Sequence, residues 1–335
     1  MAVPEPTPSG ATIVVDAGYR AETGAGELPR PFGPYVLLSR LARGGMGEVF
    51  VAMRGDIEGA ERLVVVKTVR PDLVSDPDFV ARFLDEGRIL CQLQHSSIAQ
   101  VHEVARTRDD ARGGAETVFV AMEHVEGKTL AQVVARAHER GIYVPVPAAL
   151  GAIGAVLEGL DHAHRRIGLD GKSLGLIHRD VSPQNIVVSY EGDTKVIDFG
   201  TAKANVRRLR TTQGFVLGKP GYLAPEQARS PVKVDARSDL FAVGVVLWET
   251  LAGTRFARGE SDDHVKRLAE GSFEVRSLAG NVPGVTARLD AVLQKALADD
   301  PDRRFQDAQE FRAALEQELA THWSVTVRQS ISSLM

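Results

Sequence analysis

The sequence predicts an α+β chain in two unequal lobes: a small five-stranded antiparallel β lobe with one main helix, then a larger, mostly α-helical lobe. Three observations carry this. Short β-rich runs recur from Tyr35 to Glu123, one amphipathic helical stretch interrupts them, and helical periodicity dominates after Glu126.

Residues 1–31 are rich in Pro, Gly, Ala, Ser and Thr and carry too little apolar surface to offset the entropy of ordering. A mobile arm is expected there, with accessible hydroxyls at Thr7, Ser9 and Thr12. Strands are expected at 35–41, 49–53, 63–69, 101–105 and 118–123. Between the third and fourth, Asp76-Pro77-Asp78 starts a helix whose Phe79, Phe83, Ile89, Leu90 and Leu93 recur at helical spacing. This first lobe spans 32–125. Glu126-Gly127 reads as a hinge, and helices follow at 130–140, 147–166, 238–251, 262–269, 289–297 and 307–319, filling 126–320 ahead of a tail at 321–335. The polar, glycine-bearing stretches 106–116 and 167–175 read as surface insertions.

At 335 residues, 44% hydrophobic and 25% charged, the chain has the composition of an ordinary globular protein and room for one two-lobed unit. Its net charge of −4, from 40 basic and 44 acidic residues without a long run of either, gives no nucleic-acid footprint. The single cysteine, Cys91, excludes an internal disulfide and a four-cysteine zinc site, consistent with a reducing cytosol, and its place in an apolar helix stripe reads as packing. The N-terminus lacks a signal peptide's basic and apolar regions, and the longest apolar stretch, 240–248, falls short of the roughly 20 residues that span a bilayer. A soluble, cytoplasmic protein with no membrane partner is expected.

Six motifs stand in one order: the turn Leu41-Ala42-Arg43-Gly44-Gly45-Met46-Gly47-Glu48-Val49, the strand lysine Lys67, His178-Arg179-Asp180, Asn185, Asp198-Phe199-Gly200 and Ala224-Pro225-Glu226. Each alone is weak. Together they supply what phosphoryl transfer needs: backbone N–H groups around phosphates, oxygen ligands for a hard cation, and a base beside an incoming hydroxyl. The arrangement resembles eukaryotic-like protein kinases, particularly the bacterial serine/threonine (Hanks-type) branch, over 32–320.

The resemblance implies the bilobal protein kinase fold, ATP with Mg²⁺ or Mn²⁺, and a protein substrate with a serine or threonine acceptor. It implies that Gly44, Gly47 and Val49 match the glycine loop, with Ala42 at the first glycine position, and that Lys67 holds the α- and β-phosphates through an ion pair with Glu86, 19 residues on. Leu41, Val49, Val65, Met122, Glu123, Val125 and Val187 would border the adenine, Met122 as gatekeeper and the backbone around Glu123 to Val125 as its hydrogen-bonding partner. Asn185 and Asp198 would hold the metal, and Asp180 would be the base. His178, Glu226, Asp239 and Arg304 would be structural supports. Arg179 would pair with a phosphorylated activation-segment residue, Thr211 or Thr212, near Arg207, Arg208 and Arg210.

Two positions depart from the family. Where it has lysine two residues after the base, this chain has Ser182, and where it has threonine in G-T-x-x-Y, the segment Gly218-Lys219-Pro220-Gly221-Tyr222 has lysine. Because these family positions face each other across the base, Lys219 is expected to supply the charge that Ser182 lacks. The expected function is an ATP- and Mg²⁺-dependent protein serine/threonine kinase with activation-segment autophosphorylation. The alternatives are a pseudokinase acting as a nucleotide-binding or scaffolding module, and a small-molecule phosphotransferase.

Overall fold

Short β-branched runs pair edge to edge and present alternate side chains to opposite faces. The computed structural model describes residues 28–44, 47–55, 61–168, 171–199, 208–211, 214–217, 219–229, 234–257 and 259–322, with the backbone alone at 112, 208–211 and 214–217. The expectations for Thr7, Ser9, Thr12, Arg207, Thr212 and the end of the tail lie outside these residues. Strands β1 (Arg30–Phe32), β2 (Tyr35–Gly44), β3 (Gly47–Arg54), β4 (Arg62–Val69), β5 (Val101–Asp109) and β6 (Ala115–Glu123) form one antiparallel sheet, ordered β1-β2-β3-β4-β6-β5.

The sheet has six strands rather than five, because the end of the expected arm joins it: Arg30, Pro31 and Phe32 pair with Leu37, Val36 and Tyr35. Phe32 is buried against the edge of Phe119 at 5.4 Å, an anchor hidden in a Pro- and Gly-rich context. The stretch 106–116 is not irregular loop. It continues β5 and β6 as a hairpin, and Arg30 grips the buried Asp109 near its tip with both terminal guanidinium nitrogens.

Period-two alternation sorts the lobe into two cores. Phe119 and Ala121 of β6 join Tyr35, Leu37, Val64 and Val66 on one face. Val118, Val120 and Met122 turn to the other, where they meet the main helix of this lobe. Val65 and Val69 of β4 also face that way, so Lys67 between them emerges on the same side. After the single turn α1 (Pro71–Val74), helix α2 (Pro77–Leu90) starts where expected: Asp76 caps it, accepting from Asp78 and Phe79 N–H at 3.0 and 3.1 Å, with Pro77 at the first helical position. Gly87 lets α2 close on β5, since a Cβ there would stand 2.5 Å from Val104 Cγ2. Cys91 is the C-cap of α2 and partly exposed, its thiol pushed up by burial and then by the Glu103 charge.

The second lobe runs β7 (Gly127–Thr129), α3 (Leu130–Glu139), α4 (Val146–His164), β8 (Ile186–Ser189), β9 (Thr194–Val196), β10 (Arg208–Thr211), β11 (Gly214–Leu217), α5 (Pro225–Arg229), α6 (Ala236–Ala252), α7 (Ser261–Glu270), α8 (Ala287–Ala296) and α9 (Ala308–His322). Helix α6 is buried on nearly every side from Ser238 to Leu251, which makes it the axis of the lobe. Helices α4 and α8 pack on it, and α9 packs on α4.

The small sheet β7-β8-β9 lies where the lobes meet. Val196 of β9 exchanges backbone hydrogen bonds with the first lobe, giving N–H to Ser97 O and accepting from Ala99 N, both at 2.9 Å. The loop before β8 and the turn after β9 are thereby held against the first lobe. No helix among the described residues is long and apolar enough to cross a membrane.

Candidate active site

The β2–β3 turn closes one end of the cleft. Gly44 pairs with Gly47, and Gly47 has φ 155° with its Cα so close to β4 that a Cβ would stand 1.7 Å from the Thr68 carbonyl oxygen. Only glycine lets the turn lie there. At Gly44 a Cβ would meet nothing within 4 Å, and Leu41 at the mouth is 38% exposed. Val49 and Val65 are half-buried on β3 and β4, while Val187 on β8 and Met122 at the end of β6 are buried. Met122 also lines a small enclosed cavity with Leu90, Leu93, Val120, Asp198 and Phe199.

In the connection after Met122 some backbone groups are already engaged. Glu123 N–H already donates to Gln100 O at 2.8 Å, so that group is not a donor for a base. The Glu123 carboxylate crosses to the second lobe, where Lys195 Nζ lies 2.6 Å away, and it also accepts from Gln100 N at 3.1 Å. Val125 follows in a half-buried stretch before β7.

Lys67 Nζ donates to Asp198 Oδ1 at 2.6 Å. Glu86, the partner expected for Lys67, stands half-buried on α2. The alternation of β4 points the ammonium across the cleft at the turn after β9. Asp198 has φ 63°, a left-handed conformation uncommon among non-glycine residues, and the next residue, Phe199, is buried against the His178 ring at 4.6 Å. His178 Nε2 is also 3.1 Å from Ile197 O.

The loop before β8 is organised by one buried carboxylate. Asp239 on α6 accepts from His178 N and Arg179 N at 2.8 Å each and lies 2.9 Å from His164 Nε2. Burial works to raise its pKa, but the His164 bond and the nearby imidazoles outweigh that and hold it below the usual carboxylate range. The clamp fixes Arg179 at φ 63° and so aims the following residue, Asp180. Asn185 Nδ2 reaches both Asp180 O at 2.7 Å and Asp180 Oδ2 at 2.9 Å. With Nδ2 so used, the Asn185 Oδ1 remains for a cation. Asn185 O accepts from Ile197 N at 2.9 Å, which brings it beside Asp198. Two such oxygen donors suit Mg²⁺, which takes one or two protein ligands and completes its shell with phosphate and water.

Ser182 is fully buried, and Lys219 Nζ donates to its Oγ at 2.6 Å and to Gln184 Oε1 at 3.3 Å. The two exchanged positions thus touch. Below them, Glu226 binds Arg304 through both carboxylate oxygens at 2.9 and 2.7 Å and accepts from Ser238 Oγ at 2.6 Å. Arg304 also donates to the Ala298, Asp299 and Arg237 carbonyls. Burial tends to raise the Glu226 pKa, yet the Arg304 bonds and charge hold it low. Of the regulatory candidates, Arg179 is exposed, and Thr211 ends β10 opposite Gly214 with its side chain outside the description.

Sequence reasoning missed the Glu123–Lys195 bridge and a third cluster. Tyr222 hydroxyl donates to Glu249 Oε2 at 2.7 Å, and Arg255 Nη1 donates to that hydroxyl at 2.6 Å. Glu249 and Arg255 belong to no short motif; the polar Glu249 within an otherwise apolar core helix was the available signal.

The family model for the protein kinase domain matches residues 35–319. The chain belongs to the protein kinase family. It is 39% identical over 306 residues to the tyrosine-protein kinase MasK of Myxococcus xanthus, covering 90% of this chain and 46% of that one. It is 37% identical over 284 residues to the serine/threonine-protein kinase PknB of Mycobacterium leprae, covering 84% and 42%. The chain spans less than half the length of these curated relatives. Among solved structures, the PknI kinase domain of Mycobacterium tuberculosis superposes with a TM-score of 0.63 at 27% identity, covering 89% of this chain and all of that one.

Proposed function

We propose that this chain is an ATP- and Mg²⁺-dependent kinase that moves the γ-phosphoryl group of ATP to a serine or threonine hydroxyl of a protein, with autophosphorylation in its activation segment at Thr211 or Thr212. The observation that carries the reading is the convergence of Asp180 and its Asn185 bonds with the Lys67–Asp198 pair, all within one cleft. The printed names of relatives divide on the acceptor, since PknB is called a serine/threonine kinase and MasK a tyrosine kinase. Both diagnostic positions of the serine/threonine pattern are exchanged here, at Ser182 and Lys219, so the serine/threonine reading rests on the likeness to PknB and on the resemblance of the remaining motifs.

In this reading Asp180 takes the hydroxyl proton as the acceptor oxygen bonds to the γ-phosphorus. The bond from that phosphorus to the bridging oxygen of ADP breaks, and ADP leaves with the electron pair. Asn185 fixes the direction of the base, and placement matters more than basicity. Lys67 is the cation for the α- and β-phosphates. Asn185 and Asp198 would hold Mg²⁺, which would supply positive charge to the phosphate oxygens. Lys219 brings an ammonium to Ser182 from the segment before Tyr222, in place of a lysine on the loop itself.

The test is labelled-ATP transfer by wild type and Asp180→Asn, with phosphoamino-acid analysis and site mapping. Transfer to serine or threonine that falls by about 10²–10⁴ in the variant is expected. Phosphotyrosine as the sole product would overturn the acceptor assignment. A second reading, a nucleotide-binding pseudokinase, is favoured by Ser182 standing where the family has lysine; retention of nucleotide without transfer would select it.

A further inference from the structure

We propose that the acceptor-binding face selects peptides with a carboxylate side chain near the acceptor hydroxyl, and that Arg255 reads that charge; this rests on the kinase reading above. Two recesses flank Tyr222. In one, Val134 of α3 faces Pro183 and Gln184; in the other, Lys219 and Gly221 face His264 of α7. Tyr222, Glu249 and Arg255 line both, so any peptide laid beside the loop of Asp180 passes this cluster.

Charge decides what such a peptide can carry. Among the described residues lining the two recesses, Glu249 is the only acid. Its side chain is 8% exposed, and both its oxygens are already engaged: Oε2 accepts from the Tyr222 hydroxyl at 2.7 Å and lies 3.7 Å from Arg255 Nη1, while Oε1 accepts from Phe256 N at 3.0 Å. A substrate cation could reach it only by breaking a buried network, which is costly. Arg255, by contrast, is 67% exposed. A guanidinium has five N–H groups in a fork, and the contact to the Tyr222 hydroxyl uses one edge of it. Arg255 lines both recesses, and the rest of its fork matches a carboxylate in shape and charge. Burial and the Arg267 charge keep His264 neutral at pH 7; His138 also lines one recess, and with Glu249 engaged the full charges left on this face are those of Lys219 and Arg255. It repels lysine and arginine and attracts aspartate and glutamate.

The experiment compares peptides with one acceptor that differ only in Asp or Lys at each flanking position, using wild type, Arg255→Gln and Arg255→Glu. Wild type is expected to favour Asp over Lys by about tenfold in kcat/KM at one or more positions, the scale of one good charge contact. The ratio should fall toward one in Arg255→Gln and invert in Arg255→Glu. Taken within each protein, the ratio is insensitive to how much of a variant is folded. Should neither variant fold, the wild-type preference must still weaken as salt is raised, because an exposed charge contact is screened. Equal or better use of Lys peptides by wild type, a preference unchanged in both variants, or one indifferent to salt overturns the proposal while leaving the kinase reading intact. Absence of transfer to every peptide and to the protein itself overturns the kinase reading, and this selection with it.

Discussion

An ammonium and a hydroxyl have changed places relative to the family pattern, and the contact between the two residues is direct: Lys219 Nζ to Ser182 Oγ at 2.6 Å. In the proposed reading the exchange keeps one positive charge near the base while moving its anchor from the loop to the segment before Tyr222. Lys219→Met is therefore expected to lower kcat by about 10² or more, the scale of one preorganised electrostatic contact. Ser182→Lys with Lys219→Thr should recover most of that loss, and a near-normal kcat in the single variant would refute the role. This pair was legible in the sequence because both residues break motifs whose neighbours are fixed. Arg255 was not, because its partners Tyr222 and Glu249 reach it through the fold and not through local spacing. The Lys67–Asp198 contact escaped for the same reason, joining residues 131 positions apart.

Elements were legible where their ends carry a mechanism. Asp76-Pro77 marks the start of α2 because its side chain satisfies N–H groups that no helix can satisfy for itself. By contrast β1, at three residues, is too short to show a period, and β5 reads too short because it lies at the sheet edge, where Arg106 and Arg108 point to water. The join between α5 and the segment ahead of α9 was legible as a distant pair, Glu226 and Arg304, and its energetics follow from burial: Arg304 is 1% exposed, so removing one partner leaves the other charged in a poor solvent. Arg304→Met is expected to lower unfolding stability by about 3–5 kcal/mol, measured by denaturant titration. Glu226→Leu together with Arg304→Met should cost less than Arg304→Met alone, since no charge then stays buried.

For the whole molecule, pH acts through groups whose folded pKa values are depressed. Burial, then the Arg267 charge, brings His264 down to about 4, so the unfolded chain takes up this proton first. The stability it contributes is fully present above about 6.5 and is lost as pH falls toward 4, by about 3 kcal/mol in all. Asp239 and Glu226, also depressed, extend the loss at more acidic pH. Denaturation midpoints taken from pH 7 to 4 should show this slope, and His264→Asn should flatten its upper part. The lobes themselves are tied by Val196 to the 97–99 segment and by Glu123 to Lys195, so their cleft is set by bonds as well as by chain connectivity. The family match begins at residue 35, but Phe32 and Arg30 lie before it, one filling the sheet core and the other gripping Asp109. A fragment trimmed to the matched boundary would keep a carboxylate that is 1% exposed while discarding the guanidinium opposite it, and would open a hole beside Phe119. Such a fragment would be a weaker protein than its alignment suggests, and working pieces of this chain should start upstream of Arg30.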